Sequence, residues 1–131
     1  MGRFLLELFK MKHYLKLLSF LYLIGAILHL LDLLDLRLIF SEMGMIWKVW
    51  IVFLLVGDTF VSVSLWRQKL YGEIAFLTIG FSQLIAYTVF RSYFGNQTEL
   101  IIFHMVTISV YALLKFEWGK RILRSLKWNH F

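Results

Sequence analysis

The sequence predicts an all-α fold: a four-transmembrane-helix antiparallel bundle with amphipathic N- and C-terminal interfacial segments. Three observations predict it. Of 131 residues, 60% are hydrophobic and 18% aromatic, well above the roughly 45–50% apolar usage of soluble domains. Four runs of about 20 largely apolar residues follow one another, each long enough as a helix to cross roughly 30 Å of hydrocarbon. The connections between them, "RLIFSEMGM", "RQKLYGE" and "FGNQTE", each concentrate glycine and charge, the punctuation expected of helical hairpins. The runs argue against a β-barrel, since they lack sustained alternation and exceed the roughly 10 residues of a barrel strand. Cysteine is absent, which excludes disulfides, thiolate metal sites and cysteine nucleophiles. With no proline and no repeat at a fixed period, residues 1–131 read as a single membrane domain.

Taken in order, "MGRFLLELFKMKHYLK" interleaves lysines and Glu7 with apolar residues and lacks a small-residue cleavage signature. It reads as an uncleaved interfacial helix. The first span, about 17–36, carries Tyr22, Gly25, His29 and Asp32 on one face, and Asp35 and Arg37 mark its exit. The second, about 46–66, carries Asp58 and Ser62 beside a small-residue strip of Gly57 and Ser64. The third, about 74–94, aligns Gly80, Gln83, Tyr87 and Arg91, and the fourth, about 99–116, aligns His104, Thr107 and Tyr111. Spacings of three, four and seven collect these groups on one face of each helix. A charge facing lipid at mid-bilayer costs about 2.5–3.5 kcal/mol, so the four stripes are expected to share one interior. In the tail, Trp118, Ile122, Leu126 and Trp128 alternate with basic residues, as in a helix lying on an anionic leaflet or in an ordinary topology signal.

Orientation follows from the cations. Eleven Lys and Arg residues flank one side (Arg3, Lys10, Lys12, Lys16, Arg67, Lys69 and five of the tail), against Arg37, Lys48 and Arg91 on the other. The positive-inside rule places both termini in the cytoplasm, here of a bacterial inner membrane. So strong a bias disfavours a dual-topology dimer. The net charge of +6 flanks spans and belongs to no separate domain, so membrane lipids are expected as partners, with other membrane subunits or a second copy, and nucleic acid is not.

Depth along each span, at about 1.5 Å per residue, separates two polar layers. His29, Asp32, Tyr87, Arg91 and His104 fall nearer the outer boundary, whereas Asp58, Gln83 and Tyr111 fall nearer the midplane. Several chemistries fit. The outer layer suits a lipophilic ligand such as a quinone or lipid, with His29 and Asp32 as a carboxylate–imidazole pair and Arg91 and Tyr87 as donors. His29 and His104 alternatively suit haem, or a metal together with Asp32, in an electron-transfer subunit. Asp58, with Gln83 and Tyr111 along a proton path, suits a proton-coupled small transporter. A purely structural reading pairs Asp32 with Arg91, joins the histidines across helices, and satisfies Asp58 with Gln83, Ser62 or Tyr111. No soluble-enzyme motif is present. The expectation is therefore a binding or accessory subunit with an intramembrane pocket near the outer face, and no catalytic residue is assigned.

The four-span layout, the opening "LYLIGAILHLLDLL" and the short glycine-punctuated loops resemble the DoxX-like small bacterial membrane proteins. The resemblance covers the chain loosely. It implies a redox or stress setting, which favours the quinone or lipophile reading. Asp58, Arg91 and His104, ionisable groups inside the spans, depart from the family's pattern, and no functional residue is carried over.

Overall fold

The computed structural model describes residues 2–129, with side chains for all but residues 3–9, 118, 121, 122, 125 and 127–129. The described chain is helical with no strand: α1 (Gly2–Leu33), a single 3-10 turn (Phe40–Glu42), α2 (Met45–Trp66), α3 (Leu70–Thr88), α4 (Arg91–Phe94) and α5 (Thr98–Asn129). Four stretches are long and apolar enough to cross a membrane: Lys10–Leu33, Met45–Trp66, Leu70–Thr88 and Thr98–Glu117. This is the architecture of an integral membrane protein.

Three boundaries differ from the sequence expectation. The basic N-terminal segment is the opening of α1 itself, and the tail continues α5 through Gly119 without a break, because lysine and arginine are good helix formers and no proline intervenes. The expected amphipathic contacts of Trp118, Ile122 and Trp128 lie outside the described residues. The third span starts at Leu70 and closes at Thr88, so Arg91 stands beyond it, exposed, on the short α4.

The chain divides into two compact units, Lys16–Ser82 and Met1–Leu15 with Gln83–Phe131. In the first, α1, α2 and α3 pack through Leu18, Leu54, Val61, Leu65 and Phe76, each at most 1% exposed. Their outer faces are equally apolar: Phe20, Ile27, Val56, Phe60 and Ile74 are all exposed. With lipid outside, burial of apolar surface gives little drive, and close packing and interhelical hydrogen bonds must hold the helices. Ser19 and Ser62 supply two such bonds, each hydroxyl donating to the other's backbone carbonyl, at 2.6 and 2.8 Å. Tyr22 meets Phe76 edge to face at 5.7 Å. Gly72 lets α3 approach the end of α2, since a Cβ there would lie 2.8 Å from the Ser64 carbonyl carbon.

In the second unit, the Tyr14 hydroxyl donates to the Thr107 carbonyl, and Tyr87 packs edge to face on Phe94 at 5.9 Å. Gln83, Tyr87, His104, Thr107 and Tyr111 are buried there.

Candidate functional site

α1 ends in a way that builds the site. Asp35 takes a left-handed conformation, with φ 59°, and the Asp35 and Leu36 amides donate to the carbonyls of Asp32 and Leu31. This is a Schellman ending with aspartate where glycine is usual. The Asp35 carboxylate accepts from the Ser41 amide at 3.0 Å, fixing the start of the following 3-10 turn. The chain therefore doubles back, and Arg37 reaches the last helical turn.

There the Arg37 guanidinium donates to both carboxylate oxygens of Asp32, Nε to Oδ1 and Nη2 to Oδ2, each at 2.7 Å. Asp32 is completely buried, while the Arg37 side chain is 41% exposed. Such a forked, charge-assisted pair is the arrangement that allows a carboxylate to be buried. Arg37 is the functional residue that the sequence reading missed. Five residues from Asp32, it cannot share a face with it on a continuous helix, and only an ending between them brings the two together. The expected partner of Asp32, Arg91, is corrected: both oxygens are occupied by Arg37.

One turn before Asp32, His29 lies between two carboxylates. Its Nδ1 is 3.5 Å from Asp32 Oδ2, as the spacing of three predicted, and its Nε2 is 3.6 Å from Asp58 Oδ2 on α2. Asp58 is 4% exposed, and its Oδ1 makes no hydrogen bond among the described residues. Gly25, on the same face of α1, makes room for it, because a Cβ there would stand 2.8 Å from Asp58 Oδ2.

The placement of Asp58 corrects the two-layer expectation. It belongs to one cluster with His29 and Asp32, and the side chain expected to satisfy it on its own helix, Ser62, is bonded to Ser19 instead. With His29 level with Asp58, the end of α1 at Leu33 lies level with about Leu54, so α2 overhangs α1 by roughly 13 Å. Counting depth from a common plane misplaces the cluster for that reason. The connection between α1 and α2 fills part of the overhang, with the Lys48 ammonium 5.7 Å from the centre of the Phe40 ring.

The result is a linear array, Arg37–Asp32–His29–Asp58, running from an exposed cation to a buried carboxyl. A neutral imidazole has one N–H and can donate to one of its two carboxylates, whereas imidazolium donates to both. The array thus has hydrogen-bonding states that differ by one proton. His29, Asp32 and Asp58 belong to the first compact unit, and Gln83, Tyr87, Arg91, His104 and Tyr111 to the second. Among the described residues, no group of three or more His, Asp or Glu side chains is arranged to hold a metal ion.

Residues 9–121 match DUF6163, a family of unknown function, and the chain belongs to that family. No curated protein and no solved structure matches it.

Proposed function

We propose, for a chain whose family carries no assigned activity, that it handles protons within the membrane. His29 and Asp58 share one proton that passes between His29 Nε2 and Asp58 Oδ2, while the charge of Asp32, fixed by Arg37 and 3.5 Å from His29 Nδ1, favours a proton on that nitrogen. The observation that carries this reading is Asp58 itself: a buried carboxyl whose Oδ1 has no hydrogen-bond partner among the described residues and whose Oδ2 faces an imidazole at 3.6 Å.

Charge supports it. With His29 neutral and Asp58 ionised, the array carries one net negative charge. One added proton neutralises it, either as neutral imidazole beside carboxylic acid or as imidazolium beside carboxylate. An uncompensated charge at mid-bilayer depth costs about 2.5–3.5 kcal/mol, so proton uptake and release are the events this site favours. The side chain of Arg37, 41% exposed, is the open end of the array.

Proton-coupled transport accounts for this arrangement better than a passive accessory role or a quinone pocket does. The distribution of cations, eleven on one side and three on the other, supports an orientation with both termini cytoplasmic.

Proton uptake into liposomes carrying the protein and a trapped pH-sensitive dye tests the reading. Asp58→Asn is expected to abolish uptake, and His29→Ala to slow it by about a hundredfold, a typical contribution of a positioned acid or base. Gly25→Ala keeps every titratable group but pushes the Asp58 carboxylate aside, and should give intermediate rates. Uptake by Asp58→Asn equal to that of the native chain would contradict the reading.

A further inference from the structure

The face of α2 opposite Asp58 leaves an apolar groove against α3. Val56, Gly57 and Phe60 of α2 and Tyr71, Ala75 and Thr78 of α3 line a recess of about 510 Å³, within the range of pockets that enclose a small ligand. Gly57 lets Ile79 of α3 pack close against α2 along the wall of the recess, since a Cβ at Gly57 would collide with the tip of Ile79. Phe60 and Tyr71, with ring centres 5.7 Å apart, line its end nearest the connection between the two helices.

That connection is cationic. Arg67 and Lys69 are exposed, and no carboxylate pairs with them among the described residues. Lys16 brings a third cation to the same end of the helices, its ammonium 4.9 Å from the centre of the Trp66 ring. Glu73, in the first turn of α3, is buried, 8% exposed. An apolar slot between spans thus ends beneath a cluster of cations at the mouth of a hairpin.

We infer that this groove retains one acyl chain of an anionic phospholipid whose headgroup is held by Arg67 and Lys69. Basic pockets between spans at the membrane surface recognise anionic headgroups by charge, while the slot recognises the chain by shape. A second copy of the protein is a poorer occupant. Two-fold association through this face would bring two sets of the same cations together at one membrane surface. The inference is independent of His29 and Asp58, which lie on the other face of α2.

Native mass spectrometry of the protein released from nanodiscs of equal phosphatidylglycerol and phosphatidylcholine tests it. The native chain is expected to retain one phosphatidylglycerol in preference to phosphatidylcholine. Ala75→Phe, which fills the groove, should lose the bound lipid. The pair Arg67→Gln and Lys69→Gln should keep a lipid without the preference. If Ala75→Phe loses its helical circular dichroism, Thr78→Leu fills the same recess from an exposed position and serves in its place. Equal retention of the two lipids by the native chain, unchanged retention in a folded groove-filled variant, or a dimer in place of a lipid adduct would overturn the inference.

Discussion

Arg37 decides whether Asp32 can stay charged and buried. Breaking a fully buried, hydrogen-bonded ion pair costs about 3–5 kcal/mol, because the remaining charge is left uncompensated. Here the Arg37 side chain is 41% exposed, so the pair is only partly enclosed by protein, and Arg37→Ala is expected to cost about 2 kcal/mol. Arg37→Lys restores the charge without the fork and should recover only part of it. Thermal unfolding in detergent measures both, and a melting temperature unchanged in Arg37→Ala would contradict the role. Asp35 acts differently, by shaping the chain. The Ser41 amide holds its carboxyl below the usual carboxylate range. A value lower in the folded state than in the unfolded one stabilises fully above the unfolded range, and that stabilisation fades as pH falls through the folded value. Asp35→Asn should therefore flatten the acid side of the stability profile, measured as melting temperature against pH. Of these residues, His29 and Asp32 were legible as a pair from their spacing alone. Arg37 was not, since aspartate is an uncommon left-handed residue and no glycine announces the stop.

At the scale of elements, two helices end alike. After α2, Gln68 adopts φ 57°, and the Gln68 and Lys69 amides donate to the carbonyls of Leu65 and Ser64. This second Schellman ending turns the chain directly into α3, and Gly72 then allows α3 to touch the α2 backbone. Gly72→Ala places a methyl group against main-chain atoms that cannot swing away. It should destabilise the hairpin by roughly 1–3 kcal/mol, the usual cost of overpacking, visible in a thermal melt; a neutral effect would mean that the helices are not in contact there. The existence and order of the four spans were legible from run length and hydropathy, because a helix must be about 20 residues long to cross. Their ends were less so. Lysine-rich segments continue a helix as readily as they border a membrane, which hid the true start of α1. The overhang of α2 over α1 depends on the path of the intervening connection, on which hydropathy is silent, and so Asp58 was read into a different layer from His29.

The surface of the molecule departs from that of a soluble protein. Leu, Ile, Val and Phe cover its outside, while Asp32, Asp58, Ser19, Ser62, Gln83, His104 and Thr107 are buried. In such a molecule every buried ionisable group either has a partner or moves a proton. Asp32 has its partner in Arg37, and Asp58 faces only an imidazole across a gap slightly too long for a hydrogen bond. The central claim is that this gap holds one exchangeable proton. Infrared difference spectra of the reconstituted protein, taken as pH is varied, test it most directly through the carbonyl stretch of a protonated carboxyl. The account predicts a pH-dependent carboxyl band that disappears in Asp58→Asn and shifts in His29→Ala. A native spectrum with no such band, or one that survives unchanged in Asp58→Asn, would contradict it.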